Sequence, residues 1–301
     1  MIQGLRPNDE KFLIAYNRIL DRAERATQHV TSGMRVSVPS DDPDQVSNIL
    51  TLRVNLERAS QIGRNLSRVQ SETDIAEQAL SNAVKVLESI NTLGTQAATG
   101  TETAASRLAI ADQVESLFGQ LVQLANTSQE GRYIFHGDND LAAPYAVDLT
   151  QANGVGVYDG AVCTREALHP SGTTFSYSRT AADIFDNAAA GKGVFLAVNN
   201  LRLAIQANDT AAIQSAMEGL RSAQNHLNSE LSYYGSVQKT VAAAIKSSSE
   251  LETQYKTTLS DLQDADITEA ILELSQAVTH RDAALAAQAK MPQTSLFDYL
   301  K

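Results

Sequence analysis

Side chains that do chemistry are thinly spread along this chain. Histidines stand at positions 29, 136, 169, 226 and 280, and no two share the His-x-x-x-His spacing that sets a pair of metal ligands on one helical face. The densest polar cluster is His136-Gly137-Asp138-Asn139-Asp140. Two carboxylates and an amide beside a glycine suit either a solvated turn or a Ca²⁺ loop, but the downstream bidentate Glu of an EF-hand is missing. The reading is a solvated turn, with a cation site at His136, Asp138 and Asp140 as the alternative. Asp41-Asp42 is an adjacent carboxylate pair of the kind that acid–base catalysis uses. Asp42 nevertheless directly precedes Pro43, the signature of a helix N-cap. There is no Gly-x-Ser-x-Gly elbow, no phosphate-cradling glycine loop and no Cys/His motif. The expectation is no enzyme, no cofactor and no metal.

Composition narrows the partners. The 301 residues carry 24 basic and 35 acidic side chains, a net charge of −11. Phosphate contacts need clustered Lys and Arg, so nucleic acid is not expected. Aromatics make up 5% and Trp is absent, which predicts seams filled by small side chains without bulky anchors. Cys163 is the lone cysteine, so no intrachain disulfide forms, and it reads as a small buried hydrophobe. No apolar run approaches the ~20 residues of a membrane span, so no membrane insertion is expected. The first ten residues, Met1 to Glu10, lack the apolar core and cleavage site of a secretory signal. That fits a cytosolic chain or one exported without a cleaved signal.

The elements that must position these residues are mostly helices. Phe12, Ala15, Ile19, Ala23, Ala26 and Val30 mark a first amphipathic helix, stopped at Ser32-Gly33. After a polar connector, Asp42, Pro43 and Gln45 supply the N-cap, first helical residue and capping-box partner of a second helix. It runs to about Ala98, roughly 80 Å at 1.5 Å per residue. Leu66, Val69, Thr73, Ala76, Leu80, Ala83, Leu87 and Ile90 repeat on it in alternating steps of three and four, the coiled-coil rhythm. A third helix through Leu108, Val114, Leu117, Leu121 and Leu124 ends near Gly131. From residue 137 to 193, Pro144, Pro170, Asn153-Gly154, Asp159-Gly160 and Ser171-Gly172 alternate with short β-patterned runs such as 173–178. Such an insert is expected to be replaceable, over roughly residues 140–188, without loss of helical content.

Helical pattern resumes at Val194. It breaks at Asn208-Asp209 and continues as a second rod through Leu220, Leu227, Val241, Leu251 and Leu262. Asp266 with Glu269 opens a final helix whose heptads fall on Ile267, Ile271, Leu274, Val278, Arg281, Leu285 and Gln288. Arg281 and Gln288 interrupt that stripe. Either the register drifts and turns them to solvent, or they are polar positions that select one partner register. The fold class is mainly α with a small β-rich insert, in three segments: 1–136, 137–193 and 194–301. Long antiparallel helices from both chain ends form a coiled-coil rod.

Several of these residues match a known family. Ser32-Gly33-Met34-Arg35 followed by Asp41-Asp42 resembles the connector between the first two helices of bacterial flagellins and their hook-associated relatives. Gly131-Arg132-Tyr133-Ile134-Phe135-His136-Gly137 resembles the segment leading into the family's outer domain. Asp264-Ala265-Asp266, Ala286-Ala287-Gln288-Ala289 and Ser295-Leu296-Phe297-Asp298-Tyr299-Leu300 are similar to its terminal helix. That last ending is closer to the hook-associated branch than to filament subunits. Pro7-Asn8-Asp9-Glu10 departs from the family's polar Ser/Thr run.

The resemblance implies paired terminal helices, a helical middle layer and an outermost β insert. It also implies secretion through the flagellar type III channel without a cleaved signal, after binding an export chaperone, to an extracellular place in the flagellum. The implied function is a junction adaptor linking hook to filament. Its partners would be copies of itself in a ring, a neighbouring hook-associated protein and flagellin. The assembly seam would comprise Phe12, Ile19, Val30, Ile267, Ile271, Leu274, Val278, Leu285, Leu296, Phe297 and Leu300. The connector motif would comprise Ser32, Gly33, Arg35, Asp41 and Asp42. A short filament flagellin of the same fold, and a cytosolic coiled-coil scaffold, are the other readings of the same sequence.

Overall fold

The computed structural model describes residues 7–161, 164–187, 189 and 192–290. Cys163 and the tail with Leu296, Phe297 and Leu300 lie outside the described residues. In order the elements are α1 (Pro7–Ser32), α2 (Pro43–Ala97), α3 (Ala104–Ala125), β1 (Ser128–Gln129), β2 (Arg132–Tyr133), β3 (Glu166–Leu168) and β4 (Thr174–Ser176). Then come α4 (Ala181–Phe185), α5 (Val194–Gln206), α6 (Thr210–Gln263) and α7 (Ile267–Lys290). The chain divides into two compact units, residues 59–250 and the combination of 1–58 with 251–301.

The helix boundaries follow local chemistry. Gly33 ends α1 with φ +70°, a conformation open to glycine, and its N–H donates to the His29 carbonyl at 2.9 Å. Asp209 Oδ1 accepts from the N–H groups of Ala211 and Ala212 at the start of α6, and Asp266 Oδ1 does the same for Thr268 and Glu269 of α7. The expected capping box at α2 does not form. The Asp42 carboxylate accepts from Arg35 at 3.2 Å, and the Gln45 amide oxygen accepts from Asn48. A guanidinium seven residues upstream thus takes the carboxylate that the pattern assigned to a backbone N–H.

In the unit of residues 59–250, all eight heptad positions of α2 are buried, from Leu66 at 1% exposure to Ile90 at 0%. Ile213, Leu220, Ala223, Leu227, Val237, Val241 and Ala244 of α6 belong to the same two apolar clusters. Thr73 is tolerated in this seam because its hydroxyl donates to the Gln70 carbonyl at 2.9 Å. At Gly63 the helices approach closely: an added Cβ would lie 3.3 Å from Ser248 Oγ, which donates to the Ala59 carbonyl at 2.7 Å and would have to shift by a few tenths of an ångström.

Two expectations change here. The few aromatics are not dispersed. Phe118, Phe135, Tyr145, Phe185, Phe195 and Tyr234 are all buried and touch edge-on or stacked, with centroids 5.1–6.3 Å apart along the chain of contacts. The bulky anchors exist, gathered in one place. Tyr145, Val155, Ile184 and Phe185 of the insert belong to the same cluster as α2, α3, α5 and α6. Ala167 and Tyr177 join a second one with Ile62, Leu66 and Val241. The insert supplies core side chains, so it is not a freely replaceable cap.

The third helix also stops earlier than its pattern suggests. It ends at Ala125, and the Gly-Arg-Tyr segment forms a β1–β2 hairpin turning at Glu130 (φ 52°) and Gly131 (φ 80°). Among the described residues, regular β structure elsewhere in the insert is the β3–β4 hairpin, with Ala167 opposite Phe175, plus bridges at Val147–Val155 and Asp186–Gly193.

Candidate functional site

The terminal helices α1 and α7 pack on each other in the unit of residues 1–58 and 251–301. Their mutual face is built from small residues. Ala26 is fully buried, and Ala270 and Ala277 are 4% and 3% exposed. Phe12 and Tyr16 on α1 are half-buried and stack with ring centroids 5.8 Å apart. The larger apolar residues fall largely elsewhere. Leu13, Ile14 and Leu20 on α1 are exposed, as are Ile267, Ile271, Leu272 and Leu285 on α7. Ile19, Val30, Leu274 and Val278 are half-buried.

The stripe expected from the heptads therefore splits. Leu274 and Val278 approach the intrachain face, while Ile267, Ile271 and Leu285 point away from it. A signal for the inner face was present but weak: Gln263, Ala270, Ala277 and Ala284 recur every seven residues, and three of the four are alanines. Of the two polar interruptions, Arg281 pairs with its neighbour Asp282 at 3.0 Å, and Gln288 has its amide oxygen buried without a hydrogen-bond partner.

The two connectors meet at one end of this pair. Arg35 and Val36 N–H groups donate to the Gln263 carbonyl at 2.7 and 3.1 Å, and Ala265 N–H donates to the Gly33 carbonyl at 2.9 Å. Arg35 spans the joint, donating to the Leu262 carbonyl at 2.8 Å and to the Asp42 carboxylate at 3.2 Å. It thereby serves a carbonyl left unpaired at the C-terminus of α6. Arg53 on α2 donates to the Gln263 side chain at 3.0 Å. Ser32 Oγ accepts from Met34 N–H, which holds the turn after Gly33. Asp41 folds the connector on itself, accepting from Ser37 and Val38 N–H groups at 2.8 and 2.9 Å. Those donors, with Val38 first and Ser37 next, hold its carboxyl below the usual carboxylate range. Gly33 and Arg35 bond across the joint, Asp42 holds Arg35, and Ser32 and Asp41 shape the connector itself, with Gln263 as a further member that the motif did not include.

A second polar cluster lies in the unit of residues 59–250. Arg165 donates to the carbonyls of Tyr133 and Gly137 at 3.3 and 2.9 Å, to Asp140 at 3.1 Å, and to Glu72 of α2. Burial pushes the Glu72 carboxyl up, and the charge of Arg165 pulls it back only in part. Asp140 also pairs with Arg132 at 3.2 Å. The carboxylate considered for a cation is thus committed to two guanidinium groups. His136 is fully buried and meets Tyr158 in a T-shaped contact, 5.6 Å between centroids. Glu166 and His169, three residues apart, lie on a hairpin rather than a helix, and His169 Nδ1 contacts Ser171 Oγ at 2.8 Å. Among the described residues no three of His, Cys, Asp and Glu converge on a metal-sized site, and no helix is long and apolar enough to cross a membrane.

Comparison with known proteins matches both helical halves. The family model for the bacterial flagellin N-terminal helical region covers residues 15–140, and that for the bacterial flagellin C-terminal helical region covers 217–300. The chain is 26% identical over 222 residues to flagellar hook-associated protein 3 of Salmonella typhimurium, spanning 66% of this chain and 68% of that one. With the protein of the same name from Escherichia coli it is 29% identical over 120 residues, which spans 38% of that relative's length and 40% of this chain. Its backbone is similar to the crystal structure of flagellar hook associated protein-3 from Legionella pneumophila. There the TM-score is 0.63 at 16% identity, covering 71% of this chain and 98% of the other. At that identity the structural likeness is one of fold.

Proposed function

The chain belongs to the bacterial flagellin family, and on that premise we propose that it is the junction subunit joining hook to filament. The observation that carries this reading is the imbalance of the terminal pair. Alanines fill the intrachain face of α1 and α7, while Leu13, Ile14, Leu20, Ile267, Ile271, Leu272 and Leu285 stay exposed. These side chains are 38–58% exposed, so covering each by a neighbouring subunit adds roughly half of the 1.5–3 kcal/mol that full burial is worth. The assembly seam in this proposal is Ile267, Ile271 and Leu285 outward, with Phe12, Ile19, Val30, Leu274 and Val278 at its edge, and Leu296, Phe297 and Leu300 beyond α7.

The chemistry is surface complementarity; no catalysis is assigned. The connector residues Ser32, Gly33, Arg35, Asp41 and Asp42 hold the terminal pair to the adjoining ends of α2 and α6, and residues 137–193 form the outer part. The partners in this reading are copies of the chain in a ring, a hook-associated neighbour, flagellin and an export chaperone. The subunit leaves the cell by the flagellar export route. Immunogold labelling of intact flagella tests it. A single band where hook meets filament is the expected result. Labelling along the whole filament would instead mean a short flagellin, and absence from the flagellar fraction would mean a cytosolic scaffold.

A further inference from the structure

The joint between the two connectors holds a thioether. Met34, in the turn after Gly33, is 36% exposed, and its Sδ accepts from the Gln263 side-chain amide nitrogen at 2.8 Å. Gln263 is buried, and its amide oxygen accepts from Arg53. The backbone carbonyl of the same residue receives the Arg35 and Val36 N–H groups, and Met34 bridges to Asp264. One side of Met34 opens on a cleft of about 470 Å³ bordered by Lys256, Leu259 and Ser260. Met217, the other methionine among the described residues, is packed against the core of residues 59–250, its sulfur so near Gly94 that an added Cβ there would collide with it.

A thioether is a weak hydrogen-bond acceptor and a readily oxidised group. The Gln263 N–H engages one lone pair of Sδ and leaves the second for a small oxidant entering from the cleft. We propose that Met34 is an oxidation-sensitive site that sets the tightness of this joint, its thioether being converted to the sulfoxide by hydrogen peroxide. Sδ attacks one peroxide oxygen, the O–O bond breaks, an S–O bond forms and water leaves. Sulfur gives up two electrons, and the peroxide takes them. In the sulfoxide the negative end of the dipole sits on oxygen and the sulfur turns positive, so the Gln263 N–H no longer faces an acceptor. The amide must turn to find one. Its oxygen turns with it and gives up Arg53, because both atoms belong to one planar group. Once the side chain is released, the backbone bonds from Arg35 and Val36 to the Gln263 carbonyl open more often. The effect depends on the joint alone, whatever place the subunit takes in the flagellum.

The test treats the purified full-length chain with hydrogen peroxide under native conditions and follows oxygen uptake and amide exchange by peptide mass spectrometry. The peptide carrying Met34 should gain one oxygen well before the peptide carrying Met217. Exchange at the amides of Arg35, Val36 and Ala265 should then quicken about fivefold or more, while amides around the buried Leu80 keep their rate. Methionine sulfoxide reductase should reverse both changes. In Met34→Leu, a swap of similar volume, exchange at the joint should start faster and should not respond to peroxide, which separates Met34 from the methionines at positions 1 and 291. Resistance of Met34 in the folded chain, oxidation with unchanged exchange, or an equal response in Met34→Leu would each overturn the proposal.

Discussion

Arg22 on α1 donates to Oε1 of Glu273 on α7 at 3.1 Å, joining residues 251 positions apart. Both side chains are more than a third exposed, at 47% and 40%. Screening by water limits such a pair to about 0.2–1 kcal/mol. Its value lies in register. Alanine at 26, 270 and 277 offers few shape-specific knobs, so a cross-helix ion pair helps choose among axial offsets. Arg22→Glu should lower the melting temperature of the isolated chain only slightly but weaken assembly. Adding Glu273→Arg should restore assembly. If the double variant assembles no better than the single one, the pair has no part in register.

The two heptad stripes should respond differently to the same change. Leu80 is fully buried, and Leu80→Asp places an unpaired charge in the α2–α6 seam, at a cost of about 4 kcal/mol. Ile271 is 53% exposed, and Ile271→Asp should shift the stability of the free chain by no more than about 0.5 kcal/mol while abolishing incorporation into flagella. Urea denaturation of both variants, with a flagellar fractionation, checks this. Equal destabilisation would mean that Ile271 is covered within the chain.

Arg165 should be irreplaceable by lysine. It serves two carbonyls and two carboxylates at once, and Arg165 and Glu72 are each 15% exposed. Arg165→Ala leaves the Glu72 carboxylate with the Tyr177 hydroxyl but without its counter-charge and should cost about 3 kcal/mol. Lysine, with one compact ammonium, cannot span the four acceptors and should recover less than half of that. Full recovery by Arg165→Lys in chemical denaturation would reduce the cluster to a single charge contact.

Acid should loosen the connector through Asp41. Its carboxylate accepts two backbone N–H bonds, which hold its pKa in the folded chain below the ordinary value. A group depressed in this way stabilises the fold above its ordinary pKa of about 4 and loses that contribution as the pH falls through the lowered value. Amide shifts of Ser37 and Val38 should therefore hold constant at neutral pH and move together below about pH 4. In Asp41→Asn they should show no such step. Amides that move instead near pH 6 would assign the transition to a histidine.

Excising residues 140–188 in favour of a Gly/Ser linker should abolish cooperative unfolding of the helical unit. The deletion removes Tyr145, Val155, Ile184 and Phe185 from the core, along with Arg165 beside Glu72. Retained helicity with an unchanged melting transition would show that the insert is separable after all.

How much of this was legible beforehand depended on how local the deciding physics was. The eight-residue stripe from Leu66 to Ile90, the stop at Gly33 and the caps at Asp209 and Asp266 rest on spacing and on short-range hydrogen bonding, so the linear order of residues by itself determined them. The connector motif was readable as a motif, but its geometry was not. Asp42 adopts Arg35 instead of capping α2, and Gln263 enters the joint from 228 residues beyond Arg35, because a carbonyl at the end of α6 needs a donor that only the folded chain brings near. The α1–α7 register went the same way. Hydrophobicity favours Ile267 and Ile271 as seam residues, but close approach of the helices favours Ala270 and Ala277, and only tertiary packing decides between size and proximity. Periodicity reports that a helix has an apolar face. Which neighbour covers that face, and which part stays open for another molecule, is set by the shapes that meet across it.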